Sequence, residues 1–152
     1  MEIRKSGAAE IACWMALTKA VRDFFPGLES PAGLRAHEEA VLRYMAAGRA
    51  LGAWDEAGLA GMLLYTAEPP SLDFLAVRPD ARRRGAAEAL VRAMDRALGG
   101  AETVTLMTHP AGVPGGEAAR AFYRKMGFEE GPLTEAFGAP AQVFVRRRRG
   151  PR

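Results

Sequence analysis

The chain has little of what disulfide-linked, metal-binding and membrane proteins need. Its 152 residues include one cysteine and two histidines, so an internal disulfide is impossible and a dedicated zinc or iron site is not expected. No apolar run approaches the roughly 18 residues that span a bilayer, and the N-terminus lacks a signal-peptide pattern. We therefore expect a soluble, cytoplasmic protein without a membrane partner or a metal cofactor.

The size and hydrophobic content of the chain suit one domain. Hydrophobic residues make up 49% of the sequence, enough for one core. The formal net charge is +3, yet residues 146–152 contain five arginines, so the rest of the chain is mildly acidic. We predict a single domain over 1–145 and a basic tail over 146–152. Because the tail has no interleaved aromatic residues, a solvated strand end is expected there rather than a nucleic-acid partner.

Hydrophobic periodicity predicts a mixed α/β order with a parallel crossover. Amphipathic helices are expected to start near residues 11, 31, 86 and 117, each followed by glycine or proline. Strands are expected over residues 2–5, 50–54, 59–66, 72–77, 103–108, 128–131 and 142–146. The strand over 72–77 is short, mostly apolar and bounded by prolines, as is typical of a central strand.

The most informative segment joins this central strand to the helix that starts near residue 86. A helix N-terminus presents unpaired N–H groups and a partial positive charge, which together bind phosphate. Arg82, Arg83 and Arg84 add charge immediately before the helix, and Gly85 can adopt dihedrals that are closed to other residues. The segment therefore predicts a diphosphate-binding turn, although on its own a solvated arginine cap followed by a turn glycine explains it equally well.

The sequence from Arg82 to Ala87, RRRGAA, resembles the Arg/Gln-x-x-Gly-x-Gly/Ala signature of the GCN5-related N-acetyltransferase (GNAT) family. The segment 119–128, ARAFYRKMGF, is similar to a second block of that family, and it follows about 35 residues later. Gly116 stands where that block usually has asparagine, so a side-chain contact to the cofactor from that position is absent. The resemblance covers about residues 50–145, with both motifs in the expected order.

The resemblance implies a fold and a cofactor. The fold would be a mixed central sheet of six to seven strands flanked by about four helices. Acetyl-CoA would be the co-substrate, held between the strand over 72–77 and the strand over 104–108, with backbone contacts at Leu75 and Val77. The expected cofactor-binding residues are Leu75, Ala76, Val77, Arg82, Arg83, Arg84, Gly85, Ala86, Ala87 and Phe122.

The resemblance also implies a direct attack of an amine on the thioester. Tyr123 stands where the family's tyrosine usually protonates the departing thiolate, although its spacing also suits a core aromatic residue. Asp73 is the one ionisable residue in its strand, and simple alternation places its side chain with Leu75 and Val77. It is expected either to bind the amine or act as base, or to form a structural ion pair.

Other residues near the predicted cleft are less specific. His109 ends a strand, where it could act as a base or line the substrate mouth, but it more often caps the strand end. The segments 24–29 and 132–140 are expected to form the lips of the acceptor site, because loops carry specificity on a rigid scaffold.

Three function classes remain open from the sequence. The leading one is an N-acetyltransferase acting on a primary amine of a small molecule. The second is an acyl-CoA-binding regulatory module without catalysis, and the third is an acetyltransferase acting on a protein amine, either ribosomal or N-terminal. Because dimers are frequent in the resembled family, a homodimer also stays open.

Overall fold

A computed structural model describes residues 1–148 of the chain. The strands are β1 (Glu2–Lys5), β2 (Ala50–Asp55), β3 (Gly58–Ala67), β4 (Pro70–Val77), β5 (Thr103–Thr108), β6 (Glu129–Ala136) and β7 (Ala139–Arg147). The helices are α1 (Ile11–Val21), α2 (Pro31–Ala46), α3 (Ala86–Ala97) and α4 (Glu117–Lys125), with short 3₁₀ turns at 8–10, 22–24 and 79–81. Over the described range, every helix is too short or too polar to cross a membrane.

The strands form one seven-stranded sheet in the order β1-β2-β3-β4-β5-β7-β6. Helices α3 and α4 pack on one face around a cluster that includes Leu90, Met94 and Phe144. Helices α1 and α2 pack on the other face around a cluster that includes Trp14 and Met62. The sheet is thus covered on both faces, and the predicted fold class is confirmed.

The strands β4 and β5, joined through α3, separate soon after they meet. Their parallel pairing is recorded at a single register position, Ser71 with Thr105. By contrast, β4 pairs with β3 along its length, from Pro70 to Val77. The remainder of β4 therefore has a free edge that opens toward β5, and this opening leads to the start of α3.

The C-terminal hairpin is longer than the sequence predicts. Strands β6 and β7 extend over Glu129–Ala136 and Ala139–Arg147, so the expected loop over 132–140 is mostly paired strand, with its tip at Phe137 and Gly138. Pro132 is accommodated because β6 lies at the edge of the sheet, where proline is tolerated.

The start of the predicted basic tail belongs to the sheet. Arg146 lies in β7, and both its Nη atoms donate to the carboxylate of Asp95 at 2.5 and 3.0 Å. Strand β7 continues to Arg147. Residues 149–152, which complete the predicted tail, lie outside the described residues.

Candidate active site

The N-terminus of α3 is open. Its N-cap, Gly85, has φ +84° and supplies no side-chain cap to the first turn. Arg83, two residues earlier, is also left-handed, with φ +65°, a conformation that costs a non-glycine residue roughly 1–3 kcal/mol. Among the described residues, no heavy atom would lie within 4 Å of a β-carbon on Gly85. The turn thus leaves space in front of free helix N–H groups, where anions bind.

The turn that precedes α3 is anchored through Arg78. Its Nη2 and Nη1 donate to the two carboxylate oxygens of Asp55 at 2.6 and 3.3 Å, and Nη1 also donates to the carbonyl of Leu59 at 3.1 Å. These bonds raise the pKa of Arg78 and lower the pKa of Asp55. The sequence did not identify this pair, because 23 residues separate its members and only the β2-β3-β4 pairing brings them together.

The three predicted phosphate-binding arginines are all exposed at this turn. The Arg82 guanidinium lies 5.2 Å from the centre of the Phe24 ring. The backbone carbonyl of Phe24 accepts a hydrogen bond from Nε2 of His109 at 2.8 Å. Phe24 therefore connects the turn before α3 with the end of β5, and the His109 side chain forms the hydrogen bond on the β5 side.

Tyr123 lies beneath the point where β4 and β5 separate. It is 8% exposed and belongs to the same cluster as Leu72 of β4 and Leu106 of β5. The ring meets Phe128 edge-on, with 6.0 Å between centroids. Burial raises the pKa of the Tyr123 hydroxyl above its ordinary value of 10, so the group carries its proton at neutral pH.

The predicted orientation of Asp73 is wrong because β4 contains a bulge. Leu64 pairs with Phe74 and Tyr65 pairs with Leu72, which leaves Asp73 without a cross-strand partner. A bulge shifts the alternation of side chains by one residue. Accordingly, Leu72 packs on the α3 face, whereas Phe74 packs on the α1/α2 face.

The bulge presents Asp73 to three hydroxyl groups on the α1/α2 face. Tyr44 of α2 donates to Oδ2 at 2.6 Å, Ser71 donates to Oδ1 at 2.6 Å, and Thr66 donates to Oδ2. Burial raises the pKa of Tyr44, and its bond to Asp73 raises it further. Within residues 1–148, Asp73 forms no salt bridge, so the ion pair considered from the sequence is not found.

The two predicted acceptor lips meet. A β-carbon on Gly27, in the connection between α1 and α2, would lie 3.4 Å from Cβ of Phe137 at the tip of the β6-β7 hairpin. The Phe137 side chain is 82% exposed, and Phe24 is 42% exposed. The lips therefore combine a loop with a hairpin tip, and both carry exposed aromatic rings.

A buried arginine holds the hairpin in place, and sequence reasoning missed it. Arg120 of α4 is 3% exposed. It donates to the carbonyl of His109 at 2.8 Å, to Oε1 of Gln142 at 2.7 Å and to Oε1 of Glu130 at 2.6 Å. The spacing of Arg120 in the helix did not indicate that it is buried. The cation is buried because α4, β6 and β7 pack around it.

The glycine that replaces the second block's usual asparagine is sterically required. A β-carbon on Gly116 would lie 2.9 Å from Cβ of His109 and 3.3 Å from the carbonyl oxygen of Val113. Side chains rarely tolerate such distances, so any larger residue here would displace the loop between β5 and α4.

Comparisons with known proteins identify the family and the fold. The family described as "Acetyltransferase (GNAT) domain" matches residues 46–130. No protein of curated function matches the chain by sequence. Three similar solved structures share its fold at low sequence identity.

The first of these structures is the PaiA N-acetyltransferase from Thermoplasma acidophilum in complex with coenzyme A, with 17% identity, a TM-score of 0.73 and coverage of 97% of this chain and 98% of that one. A GNAT-family acetyltransferase from Bacillus cereus has 17% identity, a TM-score of 0.72 and coverage of 96% of both chains. A ribosomal-protein-alanine N-acetyltransferase from Brucella melitensis has 19% identity, a TM-score of 0.74 and coverage of 97% and 99%. Since the family match spans more than half of the sequence, the chain belongs to the GNAT family of acetyltransferases and is an acyltransferase.

Proposed function

We propose that the protein transfers the acetyl group of acetyl-CoA to a primary amine of a small molecule. The observation that carries the proposal is the open N-terminus of α3, which stands where β4 and β5 part. Gly85 leaves room in front of the helix N–H groups, and Arg82, Arg83 and Arg84 supply positive charge beside them. These residues fit a diphosphate, and the free edge of β4 at Leu75, Ala76 and Val77 fits an extended amide-containing arm.

The reaction is a direct displacement at the thioester carbonyl. The lone pair of a neutral amine forms the new C–N bond, and the C–S bond breaks with its electrons left on sulfur. One proton leaves the nitrogen and one proton reaches the sulfur, so the step is balanced without a redox partner. The residues of the cleft therefore have two proton tasks, one on each side of the carbonyl.

Tyr123 supplies the proton to sulfur in this proposal. Its hydroxyl carries a proton at neutral pH, as in an ordinary tyrosine, and the cluster that it shares with Leu72 and Leu106 supports a position below the opening between β4 and β5. A thiolate generated in such an apolar environment is poorly solvated, which favours proton transfer from the phenol.

Asp73 receives the amine and accepts its proton. The carboxylate is exposed beside the place where β4 and β5 separate, and three hydroxyl groups hold its orientation. Its position on the α1/α2 face, opposite the cluster that contains Tyr123, supports an approach of amine and cofactor from different faces of the sheet.

The decisive experiment is thiol release from acetyl-CoA with a panel of amines, together with calorimetry of coenzyme A binding. The proposal requires coenzyme A binding and turnover with at least one small amine. Binding without turnover on any amine or peptide would instead support a regulatory module, and turnover restricted to peptides would identify a protein acceptor.

The role of Tyr123 has a matched control in Tyr65, which is 5% exposed in the same cluster. Tyr123→Phe should lower kcat by about 10²–10⁴-fold, the usual contribution of a general acid, and should leave coenzyme A affinity unchanged. Tyr65→Phe should leave kcat near the wild-type value. Equal kcat in both variants would remove Tyr123 from the mechanism.

A further inference from the structure

The bulge in β4 brings Asp73 and the aromatic side chain of Phe74 to the same face of the sheet. Regular alternation would put neighbouring residues on opposite faces, but the register shift brings Asp73 and Phe74 to the same face. Asp73 meets Tyr44 of α2 there, and Phe74 meets His37 of the same helix. An amine that reaches Asp73 from this side therefore approaches the face of the sheet that carries the Phe74 ring.

Phe74 is the centre of a wall of three rings. The Phe25 ring lies 4.5 Å away at 37°, and the His37 ring lies 4.8 Å away at 55°, both measured between centroids. All three residues are half-buried. Burial lowers the pKa of His37, and its Nε2 is buried without a hydrogen-bond partner among the described residues. The wall is therefore uncharged, and its rings are tilted against one another.

The Asp73 carboxylate has acceptor capacity beyond its three hydroxyl donors. An ionised carboxylate has about four hydrogen-bond acceptor positions, and Tyr44, Thr66 and Ser71 use three of them. Hydroxyl donors leave its negative charge uncompensated, and over residues 1–148 no cation pairs with it. One N–H of an ammonium group completes the set through a charge-assisted hydrogen bond.

We propose that Asp73 and the wall formed by Phe25, His37 and Phe74 are the acceptor subsite, and that it takes an arylalkylamine, a primary amine on a short chain that carries an aromatic ring. This inference rests on the proposed N-acetyltransferase function and names its substrate class. One carboxylate suits one ammonium group, and three uncharged rings suit the stacking of a fourth. A polyamine or an aminoglycoside would bring several further cations against a wall that offers them no anion.

The test compares 2-phenylethylamine, n-butylamine and spermidine as acceptors. With wild-type protein, kcat/KM should be highest for 2-phenylethylamine. Phe74→Leu keeps the apolar volume but removes the ring, and it should raise the KM for 2-phenylethylamine about twofold to tenfold, the range expected for an aromatic pair. The KM values for n-butylamine and acetyl-CoA should not change.

Two further variants distinguish a loss of amine binding from a general loss of protein stability. Asp73→Asn should raise the KM for every amine, because the ammonium partner is lost. Trp54→Leu removes another half-buried ring from the same cluster, at the far end of the β2-β3 hairpin, and it should lower stability without altering the preference among amines. Equal preference in the wild type and Phe74→Leu, or higher kcat/KM for spermidine, would overturn the inference while leaving the proposed function intact.

Direct binding keeps the inference testable without turnover. If no amine is acetylated, the proposed function fails. Calorimetry with 2-phenylethylamine then tests whether the subsite binds an arylalkylamine. Binding that Phe74→Leu weakens would support it. No binding to wild-type protein, with or without coenzyme A, would refute it.

Discussion

Replacing Gly85 with alanine tests the phosphate turn most directly, because the chain has a matched control at the other end of the same helix. Gly85 precedes α3 with φ +84°, and Gly99 follows it with φ +64°. A β-carbon at either position has no heavy atom of residues 1–148 within 4 Å. The two substitutions therefore share one cost, the left-handed backbone, and neither adds a steric clash.

The expected loss of stability is similar for both variants. A left-handed conformation costs an L-residue roughly 1–2 kcal/mol. For a chain of this length, each kcal/mol lowers the melting temperature by about 2–4 °C. We expect Gly85→Ala and Gly99→Ala each to melt about 2–8 °C below the wild type in a thermal unfolding scan.

The two variants should differ in coenzyme A affinity. Relaxation of the backbone at residue 85 turns the N–H groups of the α3 N-terminus away, and the new methyl group occupies the space in front of them. Loss of one hydrogen bond to a charged group costs about 1.5–3 kcal/mol, which weakens binding roughly tenfold or more. Calorimetry should detect this loss for Gly85→Ala, whereas Gly99→Ala should bind like the wild type. Equal affinity in both variants would refute a diphosphate site at this turn.

Three further predictions concern groups around the site. Asp55→Asn should be less stable than the wild type at neutral pH, and because Arg78 holds the pKa of Asp55 below its ordinary value of 3.8, the difference should shrink as the pH falls below about 4 in acid unfolding curves. Gly116→Ala should lose about 1–3 kcal/mol in denaturant unfolding through overpacking against His109, and an unchanged midpoint would show that the loop yields freely. Since the pKa of Tyr123 is raised on folding, its contribution to stability is present below pH 10 and is lost at higher pH, so Tyr123→Phe should show a shallower alkaline loss in melting scans than the wild type.

Local sequence pattern predicted those features that depend on residues within a single helix or turn. Pro31 with Ser30 before it predicted the start of α2, and Ser30 does cap the helix through Gly33. The apolar stripe of α3 predicted the face that packs on the sheet. The turn at Gly85 and the helix start after it were also predictable, because the residues that form them are contiguous in the chain.

The orientation of Asp73 could not be predicted from the sequence, because it depends on the register between β3 and β4. Alternation along β4 predicted the wrong face of the sheet for this side chain. The bulge arises from the pairing of β3 with β4, and the sequence of β4 alone does not indicate it. The same is true of the Arg78 bond to Asp55 and of the burial of Arg120, whose partners lie on other elements.

The amino-acid order by itself determined the family and the order of the helices and strands, and it supported the proposal of a diphosphate site before α3, because each of these depends on neighbouring residues. Only the tertiary structure decided which face Asp73 presents, which hydroxyl groups hold it and which rings stand beside it. Such contacts join residues that are distant along the chain, and their geometry is set by strand pairing and helix packing rather than by local pattern.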